Sequence, residues 1–152
     1  MKAPDLNLIK LSEALFLECS ISQQGVPLSP GRIKEFAVGY KLNTLYSPED
    51  RFVVIELSVS CKPAGDQKKL SIKGKFCTRL TYHVQNFEEL TSPLEEEPHV
   101  TPNELLLLTL VSVSFSTTRG MILTKTAGTV LEGFTLPMMD ARQLVKVAHS
   151  SN

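Results

Sequence analysis

The side chains best suited to chemistry are three histidines, three cysteines and two runs of carboxylates. Acid–base catalysis needs groups held within hydrogen-bond reach of one another and of a substrate. His83, His99 and His149 each lie far from a partner motif, and Glu88-Glu89 and Glu95-Glu96-Glu97 fall in a Pro-containing acidic stretch from Asn86 to His99 that reads as a solvated linker. Such a linker would not hold catalytic geometry. No GxSxG, P-loop or GxGxxG is present, so neither an activated serine nor a phosphate cradle is signalled. Cys19, Cys61 and Cys77 are an odd count at wide spacing, with no CxxC and no histidine pair nearby. They predict neither a zinc site nor a disulfide framework, but free thiols that are buried or half-buried. The expectation is a non-enzyme that uses no metal and no cofactor.

Bulk charge narrows the partners. Sixteen basic residues balance sixteen acidic ones over 152 residues, a length suited to a single domain spanning 1–152. The basic residues near Lys69, Lys73, Lys75 and Arg79 could track phosphates, yet little aromatic side chain interleaves with them. A solvated sheet face is therefore expected there, and not a nucleic-acid surface. The apolar run Leu105–Val113 falls short of the ~18–20 residues that cross a bilayer, and Met1–Asp5 opens no apolar signal region. The expectation is a cytoplasmic protein with no membrane contact.

What, then, do the elements position? The first half alternates with a period of two, the mark of strands with one covered face. The first run sets Ile9, Leu11, Leu15, Leu17, Cys19 and Ile21 on one side; a loop with Gly25, Pro27, Pro30 and Gly31 comes next. The second run carries Phe36, Val38, Tyr40 and Leu42, and the third Val53, Ile55, Leu57, Val59 and Cys61. The fourth carries Leu70, Ile72, Phe76, Leu80, Tyr82 and Val84. Four such strands joined by turns predict an antiparallel sheet with one face covered.

The pattern then becomes helical. Thr101-Pro102-Asn103-Glu104 reads as a capping box, with Thr101 at the cap and Pro102 in the first turn. The helix it opens is expected to run to about Thr118 and to stop at Gly120. Most of its circumference is apolar, more than the single stripe that a surface helix needs. One small sheet cannot cover it on every side, so an obligate oligomer is expected. The surface expected to meet another subunit is Leu106, Leu107, Leu110, Val111, Ser114 and Phe115. A connector with Gly128 and Gly133 leads to a short last helix, which Asp140 can cap and which turns Leu144, Val145 and Val147 inward.

Three stretches resemble the SecB family of export chaperones. Phe36-Ala-Val-Gly-Tyr-Lys-Leu42, Ser-Pro-Glu-Asp and Arg51-Phe-Val-Val-Ile-Glu-Leu-Ser-Val-Ser60 are similar to its second strand, turn and third strand. Pro102-Asn103 and Ser116-Thr-Thr-Arg119-Gly120 are similar to the start and close of its long helix. Phe134-Thr-Leu-Pro137-Met-Met-Asp140-Ala141-Arg-Gln-Leu144 is similar to the segment that opens its last helix. The resemblance implies an α+β fold: a four-stranded antiparallel sheet covered by a long apolar helix and a short C-terminal helix, assembled as a homotetramer, a dimer of dimers.

It also implies an ATP-independent holdase that binds unfolded polypeptide clients along hydrophobic grooves. The candidate groove residues are Val26, Leu28 and Ile33 of the loop, Phe36, Val38 and Tyr40 of the second strand, and Phe134, Leu136, Met138 and Met139 of the connector. Adjacent methionines are flexible and polarizable, which suits a surface that accepts many sequences. The family's export members deliver preproteins to the SecA motor through acidic side chains on the outer sheet face. Here that face is expected to carry Lys10, Lys41, Lys62, Lys69, Lys73, Lys75 and Arg79 against Glu18, Glu35 and Glu56. The sign of the charge argues against SecA and for the family branch that holds an antitoxin in toxin–antitoxin systems. The alternatives are general preprotein export, and an adaptor or nucleic-acid module using the basic face.

Overall fold

A computed structural model describes residues 1–93 and 100–149. β1 (Ile9–Gln23), β2 (Phe36–Ser47), β3 (Phe52–Pro63) and β4 (Ile72–Val84) form one antiparallel sheet in the order β1-β4-β3-β2. β2, β3 and β4 are joined by tight connections, whereas β1 lies on the far edge. The loop 24–35 must therefore cross from one edge of the sheet to the other. Its far end is anchored by the β3–β4 turn. Gln67 accepts from Lys34 N at 2.9 Å and donates to Arg32 O at 2.9 Å, which holds Ile33 in the core at 6% exposure.

β3 and β4 alternate as their sequences require. Val53, Ile55, Leu57 and Val59 are buried, as are Ile72, Phe76, Leu80, Tyr82 and Val84. Leu70, expected in this strand, precedes it and is exposed. β1 differs more. Two irregularities, between Leu11 and Glu13 and between Phe16 and Glu18, shift its register on β4. Each bulge inserts an unpaired residue and reverses the facing of the residues beyond it. Ala14 and Phe16 therefore pair with the inward Leu80 and Thr78, whereas Leu15 pairs with the outward Arg79. The single apolar side expected for this run is divided between the two faces.

α1 (Glu104–Thr126) lies across β3 and β4. Its cap is Asn103, whose side chain accepts from Leu106 N at 2.9 Å. Thr101 and Pro102, read as the cap and first turn, instead belong to a short ladder in which β5 (Thr91–Pro93) pairs with β6 (Val100–Pro102). The helix also passes through Gly120 and ends at Thr126, with Gly128 at φ 74 just beyond. A left-handed glycine does come after the last turn, but it is Gly128. Buried Ile122 and Thr126 tie the extra turns to the core. That anchoring outweighs the roughly 1 kcal/mol that a mid-helix glycine costs.

At 23 residues α1 is long and apolar enough to cross a membrane, unlike the Leu105–Val113 run considered alone. One side of it nevertheless builds the core of this domain. Leu106, Leu110, Val111 and Phe115 face the sheet, and two buried hydroxyl pairs fix the helix over it. Thr78 meets Thr118 at 2.7 Å and Tyr82 meets Ser114 at 2.8 Å. A buried hydroxyl left unpaired costs ~1–3 kcal/mol, so any sliding of helix on sheet that breaks these pairs is penalised.

The connector 127–140 folds back over the sheet, where Val130, Leu131, Phe134 and Leu136 complete the core. Gly74 makes room for it: a Cβ there would stand 2.6 Å from Leu131. Asp140 then caps α2 (Ala141–His149), accepting from Arg142 N at 2.9 Å. Leu144 is buried and Val145 partly so; the Val147 side chain lies outside the described residues. Part of the expected acidic linker is ordered too. Phe87 and Leu90 form a turn with 0% exposure, while Glu95, Glu96, Glu97 and His99 lie outside the described residues.

Candidate client-binding surface

β2 is an edge strand of the sheet, and its inward side chains meet the connector and α1. Phe36 packs on Phe134 with ring centroids 5.1 Å apart, and Tyr40 on Phe115 at 6.1 Å. Arg119 stands over the Phe115 ring at 5.3 Å and donates to Leu136 O and Pro137 O, each at 3.0 Å. One arginine thus fixes the backbone immediately before Met138, which is 87% exposed, and Met139, which is partly buried. The Tyr40 hydroxyl has no hydrogen-bond partner among the described residues. Burial raises its pKa, an effect that the nearby Arg119 charge partly offsets.

The expected groove residues divide into three groups. Val26, at 90% exposed, and Met138 are held out in water. Leu28, Phe36, Val38, Tyr40 and Met139 are half-buried against the core. Ile33, Phe134 and Leu136 are core residues with 0–6% exposure, and no partner reaches them without displacing their neighbours. Arg119 was not among the candidates, although a lone cation in an otherwise apolar stretch was a readable signal.

A second apolar strip was hidden by the bulges. α1 rests on β3 and β4, so the inward side of β1 is thinly covered. Leu11 is 40% exposed, Cys19 is exposed, and Phe16 touches Phe76 at 6.4 Å. Cys19 therefore departs from the expected burial. Cys61 is buried, and burial pushes its thiol up to about 11.

The helix face expected to meet another subunit also needs correction. Leu106, Leu110, Val111, Ser114 and Phe115 turn towards the chain's own sheet, and Leu107 is half-buried. These residues follow the i, i+3, i+4 spacing of a single stripe, and the sheet claims that stripe first. The apolar excess that remains lies at Leu105, Val113 and Leu123, each 38–43% exposed, alongside Ser112, Ser116 and Gly120.

The outer sheet face carries Lys10, Lys41, Lys62, Lys73, Lys75 and Arg79 against Glu13, Glu18 and Glu56. Lys69 lies in the turn before β4 and Glu35 in the crossing loop. Arg79 pairs with Glu56 at 2.6 Å. Among the described residues no three His, Cys, Asp or Glu side chains gather as a metal site would require.

This arrangement of a four-stranded sheet, a crossing loop, a long helix and a short last helix is the SecB-like fold. The chain superposes on a SecB-like chaperone of Mycobacterium tuberculosis, Rv1957, in complex with a ChAD peptide from the Rv1956 HigA1 antitoxin. The TM-score is 0.59 at 12% identity, covering 88% of this chain and 92% of that one. A protein of unknown function from Streptococcus agalactiae is looser, with a TM-score of 0.41 at 12% identity over 86% and 97% of the two chains. No family model matches the chain, and no curated protein matches it in sequence.

Proposed function

We propose that this chain is a SecB-like, ATP-independent holdase that binds unfolded polypeptides and performs no catalysis. The observation that carries the reading is apolar surface that folding leaves unused. Met138 stands almost wholly in water on a segment whose backbone Arg119 pins beside β2, and Val26, also exposed, stands in the crossing loop just beyond β1. Exposed apolar side chains on a pinned backbone cost solubility, and a partner that covers them explains their retention. The fold supports the reading, since a chaperone of this fold holds an antitoxin peptide. We further propose an antitoxin as the client, a cytoplasmic location and a homotetramer that covers Leu105, Val113 and Leu123. The basic outer face favours that client over delivery of preproteins to SecA, because like charges on a docking face repel the wrong partner.

The test is light-scattering mass together with suppression of aggregation of a reduced, unfolded test protein, without nucleotide. A mass near four subunits that rises by one client is expected. A monomer that leaves aggregation unchanged would overturn the reading.

A further inference from the structure

The outer face of the sheet is built unevenly along its length. At one end stand Phe52, Val54 and Leu45, residues that suit strands. At the other, neighbouring strands place Ala37, Gly39, Ser58 and Ser60 side by side. Small residues and glycine weaken a sheet; a Cβ at Gly39 would stand 2.8 Å from Ser60 Oγ, and no helix or connector among the described residues packs on this face. Their effect is a trough. Two hollows of about 280 and 380 Å³ run into one another, sharing Gly39, Ser60 and Lys75.

Lysines border this trough. Lys41, Lys62, Lys73 and Lys75 line its hollows, and Glu18 is the one acidic side chain among the lining residues. None of the four forms an ion pair with a carboxylate among the described residues, where Arg79 takes Glu56. Lys62 and Lys73 lie on adjacent strands at the same end of the face, a concentration of positive charge that suits an anionic partner. Lys73 and Lys75 are two residues apart on β4, ~7 Å along the strand, which is also the spacing of alternate side chains on an extended peptide.

From this we propose that the trough docks an extended acidic segment of a partner protein, with carboxylates seated on Lys62, Lys73 and Lys75. The site lies on the opposite side of the sheet from Phe36, Tyr40 and Met138, so it is a second surface that a bound client leaves free. A polypeptide is favoured over nucleic acid because Gly39, Ser58 and Ser60 form the trough floor, whereas the rings of neighbouring Tyr40 and Phe76 pack on the inner face and offer bases nothing to stack on. The aromatic contact on this face, Phe52 with His83 at 5.3 Å, is at the other end.

The experiment uses the full chain and fluorescence anisotropy of a labelled dodecapeptide alternating glutamate and serine. The controls are the lysine–serine counterpart and a single-stranded oligonucleotide of equal charge. Binding of the glutamate peptide alone is expected, weakening sharply from ~50 to ~500 mM salt as the charges are screened. The double variant K73E/K75E should lose on the order of tenfold in affinity or more, with its melting temperature and its capture of unfolded protein unchanged. Equal binding of the two peptides, an oligonucleotide that binds tighter than the glutamate peptide, or a K73E/K75E variant that binds as before would overturn the proposal. Capture of unfolded protein reads the client surface separately, so the failure of one site does not imply failure of the other.

Discussion

The two faces of this sheet come from the same alternating sequence yet obey different constraints. Over β3 and β4 the inner face is closed by α1 and the connector, and its central hydroxyls are paired, Thr78 with Thr118 and Tyr82 with Ser114. The outer face has the Arg79–Glu56 ion pair across its middle, a trough of small residues at one end and lysines that, among the described residues, have no carboxylate partner. Packing dictates the first face almost residue by residue, because each vacancy or orphaned hydroxyl there has a cost. No element among the described residues packs on the second, so its charge and relief are free to be set by partners.

The largest effect that would sharpen this contrast is Leu110→Ala. Leu110 is 1% exposed beneath α1, so truncation should cost about 3 kcal/mol and lower the melting temperature by roughly 10 °C. Lys73→Glu, on the outer face, should stay within ~0.5 kcal/mol of the parent chain in the same melts. Comparable losses at the two sites would break the distinction between the faces.

Next in size is the buried hydroxyl pair. Thr78→Val or Thr118→Val alone leaves the other hydroxyl without a partner and should cost ~1–3 kcal/mol, whereas the double substitution should cost less than the sum of the two. Additive losses in a denaturant series would show that the pair does not fix the helix on the sheet.

The smallest effect is chemical. At pH 8 a maleimide should label exposed Cys19 first and buried Cys61 last. Burial holds the Cys61 thiol protonated up to about 11, against an ordinary value of 9.0. A raised folded-state value means that the associated stability is complete below 9.0 and is lost as the pH climbs towards about 11, because the unfolded chain releases that proton earlier. Labelling of Cys61 at the rate of Cys19 would show that the inner face is more open than its packing indicates.

The inner face is also the part of the fold most readable from sequence. β2, β3 and β4 alternate cleanly because both their neighbours and their covering are regular. β1 is harder because a bulge leaves no local mark: Leu11, Leu15 and Leu17 keep their spacing while the pairing slips beneath them. The end of α1 is ambiguous because Gly120 and Gly128 carry the same local signal, and tertiary contacts at Ile122 and Thr126 decide between them. The stripe expected to form its oligomer face is the one that its own sheet needs. Of the proposed client surface, Val26 and Met138 are legible as apolar residues on connecting segments. That Phe134 and Leu136 are drawn into the core depends on how the connector folds back over Gly74, and that Ile33 is depends on the hold of Gln67 on the crossing loop; no local pattern announces either.

The most direct test of the proposed holdase, with a client surface on one side of its sheet, is site-specific crosslinking in the full chain. A photo-reactive residue would replace Met138 in one preparation and Lys75 in another, each mixed with a reduced, unfolded test protein and irradiated. The account predicts crosslinking to the client from position 138 and little or none from position 75. Equal crosslinking from both positions, or crosslinking from position 75 alone, would contradict it.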